Sequence, residues 1–427
     1  MLNSAALAAI HAARWGDHFV RPGMSDYCFS RLPATIEAVL TGAETAGLPP
    51  DTLPGLASRY DTVILLFLDA FGWRFFEPRM ERYPFLKRFL QDGVVSPLTT
   101  LFPSTTAAHV TTLNTGVLPS EHGVFEWFYY EPQVDTIIAP LLFSFAKDRN
   151  RETLAKAGVE PAQILPKSKF YHRLRAAGVR STIIQSREYA ASSFTQTVCA
   201  GAEVIPFRTV PEALTTLVRC LQSRLWPSYY YVYFDMIDSI CHSYSPESPY
   251  VDAEIDLALT ALERLLHPAL ASRRTPTLLL MIADHGQIGF DPRTSIMLNR
   301  LVPDLARATR TTANGELIVP GGSHRDMFLY LQENRLDEMA ERLGHALAGR
   351  AEVYRTSDLL AAGFFGSATP SPTFLSRVGN LVVLPYAGES VWWEFGERKF
   401  ETDHRGMHGG LAPEEAITQV AALRYGG

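Results

Sequence analysis

The sequence predicts an α/β fold built on a largely parallel sheet. Near-continuous runs of Val, Ile, Leu, Phe and Tyr recur along the chain, as expected of strands covered on both faces. Segments of helical pattern separate them, which argues for a parallel arrangement. Several runs also end on an acid or a histidine, where the ligand-binding loops of such a sheet begin. Strands are predicted at 62–69, 180–185, 229–235, 276–283 and 327–332. Helices are predicted at 84–91, 106–115, 148–157, 168–177, 210–225, 248–272 and 336–349. The helix at 106 follows Ser104 and Thr105, which can cap it, and stops at Gly116, which suits a left-handed terminus. Asn314-Gly315 reads as a hairpin turn.

The 427 residues are read as one catalytic domain, 1–427, with an N-terminal helical extension at 1–58. Two stretches break the alternation and read as cap insertions at one end of the sheet, near 120–165 and 290–400. The first is aromatic (Phe125, Trp127, Phe128, Tyr129, Tyr130), and the second holds several prolines and Trp392-Trp393. Apolar residues make up 47% and charged residues 20%, the balance of an ordinary globular protein. A formal net charge of −6 leaves no footprint for a nucleic-acid duplex. Cys28, Cys199, Cys220 and Cys241 form no CxxC pair and read as reduced thiols. The N-terminal stretch has no basic run before its apolar residues and reads as an amphipathic helix rather than a secretory leader. No apolar stretch is long enough for a membrane span, so a cytoplasmic location is the default expectation.

The chemistry is concentrated at strand ends. Asp69 ends Thr62-Val-Ile-Leu-Leu-Phe-Leu-Asp69, and Asp238 and His242 follow the run 229–234. Asp284 and His285 end the run from Thr277, and His408 stands in Gly406-Met-His-Gly-Gly410. An acid inside so apolar a sequence as Leu-Phe-Leu-Asp-Ala-Phe is costly unless paired or ligated. Asp and neutral His are zinc ligands, and this set is large enough for two metals. Asp238 and His242 are one helical turn apart and can face one ion. Phe102-Pro-Ser-Thr-Thr-Ala-Ala-His109 adds hydroxyls at a helix start, where backbone N–H groups and the helix dipole favour a phosphoryl oxygen. On these residues alone either Thr105 or Thr106 is the candidate nucleophile. A metal would make its alkoxide accessible for attack on a phosphorus ester.

These elements, in their order, resemble the type I phosphodiesterase/nucleotide pyrophosphatase family of the alkaline phosphatase superfamily. The resemblance rests on Asp69 after a strand, Thr106 with a helix ending Asn114-Thr-Gly116, Pro119-Ser-Glu-His-Gly123, Asp238-x-x-x-His242, Ala283-Asp-His-Gly286 and His408-Gly-Gly410. It implies an alkaline phosphatase-like sandwich, a mostly parallel sheet with helices on both faces and cap insertions. It also implies a binuclear zinc site, two Zn2+ per chain, with Asp238, His242 and His408 on one metal. Asp69, Asp284, His285 and the nucleophile Thr106 would hold the other. Thr106 is preferred to Thr105 because it lies ten residues before Gly116.

The phosphodiesterase branch has Asn three residues after the nucleophile, where this chain has His109; substrate binding is assigned to His109 and to the backbone at Ala107, the alternative for His109 being a packed helix residue. Ala107-Ala108 replaces the Phe-Pro of close relatives, which removes their base-stacking aromatic. His404, four residues before His408, is the rival for the last ligand place. His122 reads as structural and His324 as a solvated loop residue, and Arg187 and Tyr189 as surface or salt-bridge residues near the site.

The implied activity is hydrolysis of a small phosphate ester, a diester or pyrophosphate, through a phosphothreonine. The alternatives are a phosphomonoesterase, phosphomutase or phosphonate hydrolase on the same scaffold, or a binding module without turnover. A sulfatase is disfavoured by the absence of a Cys-x-Pro-x-Arg motif.

Overall fold

Seven strands form the central sheet of the computed structural model, which describes residues 1–55, 59–148, 150–223, 227–366, 369–395 and 404–426. They are β1 (Thr62–Leu68), β2 (Gly93–Thr99), β3 (Arg180–Ser186), β4 (Glu203–Phe207), β5 (Ser228–Phe234), β6 (Thr277–Ile282) and β7 (Ile417–Tyr425). Their order is β2-β7-β6-β1-β5-β3-β4. β1 pairs in parallel with β5 and β6, and β3 in parallel with β5 and β4. β7 runs antiparallel between β6 and β2. This is the α/β class with a mostly parallel sheet that the alternation predicts.

The strand residues divide cleanly between two hydrophobic clusters. Val63, Leu65 and Phe67 of β1, Tyr229, Tyr231 and Tyr233 of β5, and Leu278, Leu280 and Ile282 of β6 join one. Ile64, Leu66, Leu68, Tyr230, Val232, Phe234, Leu279 and Met281 join the other. Alternate side chains thus bury on opposite faces, and both faces are covered, which is why the sequence runs are apolar without a break.

Three sheet strands were not anticipated, and two of them matter for the site. β2 holds Pro97, a residue that argues against a central strand. β2 is instead an edge strand paired with β7 alone. Its outer side meets the N-terminal segment, where Val95 N–H donates to Met1 O and Thr99 N–H to Tyr27 O. Pro97 lies between these positions on the same outward-facing row, where a missing N–H breaks no ladder bond. β7, Ile417-Thr-Gln-Val-Ala-Ala-Leu-Arg-Tyr425, has a weak strand signature and owes its place to packing between β6 and β2.

Other boundaries shift for local reasons. The helix expected at 248–272 is Pro249–Ala261, a wide π turn Leu262–Leu266, and His267–Ala271. Pro268 lacks the N–H that a continuous helix needs there. The helix expected at 148–157 contracts to Thr153–Lys156. Residues Met327–Leu329 do form a strand, but in a separate four-stranded antiparallel sheet with Gly321–Gly322, Ala351–Arg355 and Leu381–Pro385. A three-stranded sheet, Tyr129–Glu131, Thr136–Ala139 and Ser144–Phe145, lies within 120–165. The expected turn at Asn314-Gly315 joins the paired residues Thr311 and Leu317, with Gly315 at φ +81°. Parts of the stretches 1–58, 210–225 and 290–400 lie outside the described residues. Among the described residues no helix is long and apolar enough to cross a membrane.

Candidate active site

β6, β1 and β5 are neighbours in the middle of the sheet, and each ends at the same edge. Asp284 and His285 follow β6, Asp69 follows β1, and Asp238 follows β5. β2 runs to the same edge and leads into the turn before α1 (Thr106–Thr115). Because β7 is antiparallel, the segment entering it arrives at this edge too, and it carries His408. Five connections therefore converge where ligands bind in open α/β sheets.

Local structure then fixes each side chain. The Thr105 hydroxyl caps α1 by accepting from Ala108 N–H at 3.4 Å, and Gly116 ends the helix at φ +75°. All ten residues of α1 are buried, so the nucleophile candidate stands on a rigid element. α2 (Met236–Tyr244) places Asp238 and His242 one turn apart, with His242 Nε2 3.2 Å from Asp238 Oδ2. The His408 turn is zipped onto the start of α1 through Ser104. Ser104 N–H donates to Gly409 O, its hydroxyl donates to Gly410 O, and Gly409 N–H donates to that hydroxyl. Gly409 sits at φ +123°, and a Cβ there would lie 2.3 Å from Asp326 Oδ1, so the turn requires glycine. Ala70, beside Asp69, is held at φ +61°, a strained value of the kind that collects at functional sites. Its N–H donates to Asp284 Oδ1 at 3.1 Å.

Ligand atoms of Asp69, Asp284 and His285 lie within 4.8 Å of one another, and so do those of Asp238, His285 and His408. His285 Nε2 belongs to both groups, and the His285 and His408 rings stack with centroids 3.6 Å apart. His242 joins the second group through Asp238. The His404 ring lies tilted beside that of His242, with centroids 4.7 Å apart, and His404 is in neither group. Thr106 Oγ1 stands 3.5 Å from both Asp69 oxygens and 3.2 Å from His285 Nε2.

The donor set fits divalent cations on this structure's own terms. Each of the three histidines turns Nδ1 toward a carbonyl oxygen: His285 to Gly286 O at 2.9 Å, His242 to Gly406 O at 2.8 Å, and His408 to Ser104 O at 2.9 Å. A carbonyl only accepts, so each Nδ1 carries a proton and Nε2 is the nitrogen that faces inward. These Nε2 atoms face carboxylate oxygens: His285 Nε2 is 3.2 Å from Asp284 Oδ2, and His408 Nε2 is 3.6 Å from Asp238 Oδ1. Asp284 Oδ2 is buried with no hydrogen-bond donor. Carboxylates this crowded need positive charge among them, which a protonated imidazole or a bound cation supplies. The titration tendencies express the same demand. Burial and the charges of Asp284 and Asp238 push Asp69 well above the usual carboxylate range. Against the penalty of burial, adjacent His285 holds Asp284 down at about 2. Neighbouring imidazoles likewise hold Asp238 low. Asp69 Oδ2 also receives the Tyr233 hydroxyl, and Gln287 donates to Asp238 Oδ1.

His109 departs from its expected role. Its Nε2 accepts from Leu101 N–H at 2.9 Å and its Nδ1 donates to Thr105 O at 2.7 Å. Burial lowers its pKa to about 4, so the ring stays neutral with both nitrogens engaged. It packs edge-on against Phe29 and has no donor left for a phosphoryl oxygen. It is the packed helix residue that stood as the alternative. At the start of α1, Thr105 takes the Ala108 N–H, while the Thr106 and Ala107 N–H groups belong to the first turn, which has no intrahelical partner for them. His324 is not solvated: it is buried and stacks on Trp392 with ring centroids 4.0 Å apart.

His122 is structural. Its Nδ1 accepts from Val124 N–H at 3.0 Å and its Nε2 lies 3.1 Å from the Thr112 hydroxyl. Burial and Arg377 lower its pKa from 6.5 to about 3. A folded-state pKa below the unfolded value leaves the contribution intact above about pH 6.5 and removes it as pH falls toward 3. Each such group therefore lowers stability by about 1.4 kcal/mol per pH unit in that window. Denaturation midpoints measured from pH 7 to 4 should fall, and His122→Asn should flatten the fall.

Two cavities flank the cluster. One, of about 260 Å³, is lined by Asp69, Thr106, Val110, Arg151, Tyr189 and Tyr233 among others. The second, of about 410 Å³ and mostly apolar, is lined by Thr106, Glu126, Phe128, His242, Trp392 and His408 among others. Thr106, Trp127, Asp238 and Ser239 line both. Of the aromatic cluster, Phe125, Tyr129 and Tyr130 are packing residues, while Trp127 is 37% exposed at this junction.

Sequence reasoning missed two acids here. Glu126 and Asp326 are fully buried and are both pushed up by burial, Glu126 to about 7, and Glu126 Oε1 and Asp326 Oδ2 have no hydrogen-bond partner among the described residues. Neither acid follows a central-sheet strand, so no motif marked it; the nearest signal was Asp326 in Gly-Gly-Ser-His-Arg-Asp326, ahead of an apolar run. Also missed was the Arg325–Glu415 pair, fully buried at 2.8 Å. Glu415 accepts from Gly410 N–H and Ala412 N–H, so this pair braces the His408 turn.

The chain is similar to solved structures of this architecture. Murine ectonucleotide pyrophosphatase/phosphodiesterase 5 superposes with a TM-score of 0.61 at 15% identity, over 86% of this chain and 88% of that one. The human counterpart gives 0.60 at 17% identity, over 86% and 88%. Phosphonoacetate hydrolase from Sinorhizobium meliloti 1021, in complex with phosphonoformate, gives 0.60 at 16% identity, over 88% and 94%. Identities this low speak for the fold, which is the alkaline phosphatase type. No curated protein matches the sequence. The family model for type I phosphodiesterase/nucleotide pyrophosphatase, however, matches residues 63–411, a span that holds every strand-end acid and histidine described above. With that match the chain belongs to the type I phosphodiesterase/nucleotide pyrophosphatase family.

Proposed function

We propose that the chain hydrolyses phosphodiesters or pyrophosphates through a phosphothreonine at Thr106, with two zinc ions as cofactors. Asp69, Asp284 and His285, together with Thr106, would hold one ion. Asp238, His242 and His408 would hold the other. Three imidazole ligands favour zinc over magnesium.

The observation that carries the diester reading is the pair of cavities meeting at Thr106. A phosphorus atom at the junction has room for one organic substituent on each side. A monoester would leave one cavity unused, and among the described residues neither cavity is lined by a lysine or a second arginine to meet a dianion.

When bound, the cations supply Lewis-acid charge to phosphoryl oxygens and lower the pKa of a hydroxyl. The chain's own groups do the rest. Thr106 Oγ attacks phosphorus in line, and the alcohol or phosphate opposite it leaves. The Thr106 and Ala107 N–H groups and the α1 dipole offset charge on the non-bridging oxygens. Tyr233, by holding Asp69 Oδ2, leaves Oδ1 toward Thr106 and His285. Water entering from the vacated side then cleaves the phosphothreonine and restores the hydroxyl.

Turnover of bis(p-nitrophenyl) phosphate against p-nitrophenyl phosphate tests this reading. The expected kcat/KM ratio favours the diester by about tenfold or more. A ratio favouring the monoester would replace it with a phosphomonoesterase.

The likeness to phosphonoacetate hydrolase supports a second reading, cleavage of a phosphonate. Release of inorganic phosphate from phosphonoacetate would favour it. The murine neighbour is also solved, in an inactive form, in complex with AMP. A nucleotide here would find its stacking aromatic in Trp127, since Ala107 and Ala108 offer none.

A further inference from the structure

The smaller cavity contains an arginine with no assigned purpose. Arg151 is the only lysine or arginine among the described residues that line either cavity. Its guanidinium lies over the Tyr189 ring, 5.8 Å from the centroid, and makes no ion pair among the described residues. Tyr189 is held in turn: its hydroxyl donates to Asp235 Oδ2 at 3.1 Å, and its ring meets that of Tyr233 edge-on at 6.0 Å. Tyr233 donates to Asp69. Arg151 is thus connected to the reaction centre by two aromatic rings that line the same cavity.

The backbone beneath Arg151 is fixed at some cost. Glu152 adopts φ +66°, which a non-glycine residue takes only when its surroundings enforce it. The enforcement is visible. Ser193 N–H donates to Glu152 Oε1 at 2.9 Å, and the Ser193 hydroxyl donates to Oε2 at 2.6 Å. Glu152 N–H donates to Leu142 O at 2.9 Å. This clamp ties the short segment carrying Arg151 to the turn after β3, which forms the cavity wall. A guanidinium in such a place, stacked but unpaired, is equipped for bidentate capture of an anion. The acids nearby do not fill that role: Asp69 and Asp238 belong to the cluster, Asp235 is occupied by Tyr189, and Glu188 is exposed at the rim.

We propose that Arg151 is a specificity-determining residue that binds an anionic group, a carboxylate or a phosphate, on the substrate substituent occupying the smaller cavity. This rests on the hydrolase reading above and narrows its substrate class. The substrate carries, on one side of the scissile phosphorus, a compact arm ending in negative charge, and the larger apolar cavity takes the other side.

The test uses the zinc-loaded full chain and p-nitrophenyl phosphodiesters whose second ester arm ends in a carboxylate, a phosphate or a neutral carboxamide. A charge-assisted bond of this kind should raise kcat/KM for a charged arm over the carboxamide by about 10- to 100-fold. Whichever charged arm gains more identifies the source. In Arg151→Met the ratio should collapse toward one, and Arg151→Lys should retain part of it. A wild-type ratio near one, or a ratio unchanged in Arg151→Met, overturns the proposal. Calorimetric binding of unreactive phosphonate analogues bearing the same arms keeps the two readings separate. If no diester is hydrolysed, the hydrolase reading fails. Arg151-dependent preference for the charged arms in binding still upholds this inference, and its absence refutes it.

Discussion

Thr106→Ala should reduce diester turnover by about 1,000-fold or more while the protein stays folded and keeps its Asp and His metal ligands. Among the described residues, Thr106 Oγ1 is the only hydroxyl placed against both Asp69 and His285, at 3.5 and 3.2 Å. The rest of the residue is one turn of a buried helix, so its loss costs roughly 1 kcal/mol of stability. Thr106→Ser keeps an oxygen in place and should recover part of the rate. Thr105 provides the internal comparison. Its hydroxyl donates to Phe125 O at 3.1 Å and caps α1, so both of its roles are structural. Thr105→Ala should lower stability by about 1 kcal/mol and leave turnover within severalfold. Rates by stopped assay, with melting curves for each variant, separate the two threonines. Equal rate losses in both would return the nucleophile to an open question between them.

His408→Ala should lower turnover by about 100-fold or more and weaken zinc binding, whereas His404→Ala should change the rate by only about threefold. His408 Nε2 falls within the second ligand group, and its ring is oriented by the Ser104 carbonyl and stacked on His285. His404 is outside both groups, and its ring lies beside that of His242. The expected readouts are zinc content after dialysis and the zinc concentration needed for half-maximal rate. The reverse ranking would exchange their roles. Stripping the wild-type protein with a chelator should also lower its melting temperature, because cations that bind only the folded cluster stabilise it.

The strand-end acids and histidines were legible because the sheet itself makes them so. An apolar run ending in Asp or Asp-His has few bland explanations, and neighbouring parallel strands must end at one edge. Asp69, Asp238, Asp284 and His285 needed only that rule to be placed together. His408 needed more. Its arrival depends on β7 running antiparallel, and neither β7 nor β2 was expected, since a strand centred on Ala-Ala and a Pro-containing edge strand carry little local signal. The glycines beside it left a readable trace, because a turn pressed against Asp326 and Glu415 admits no Cβ.

His109 shows the opposite failure. Its position along α1 was read correctly, but a fixed offset from Thr106 does not say which way a ring faces. The Leu101 N–H that occupies it comes from the loop before the helix, a contact no spacing reveals. Glu126, Asp326 and Arg151 were invisible for a similar reason: each sits in an irregular segment, and only the tertiary packing assigns it to a cavity. Composition and periodicity locate the edge of the sheet, while the shape of what binds there is written in the loops.

The central claim is that the convergent acids and histidines work through a pair of zinc ions beside Thr106. Titrating zinc into chelator-stripped protein, while following bis(p-nitrophenyl) phosphate hydrolysis, tests it most directly. The rate should rise from near zero and level off at about two equivalents per chain; full activity in the stripped protein would contradict the account.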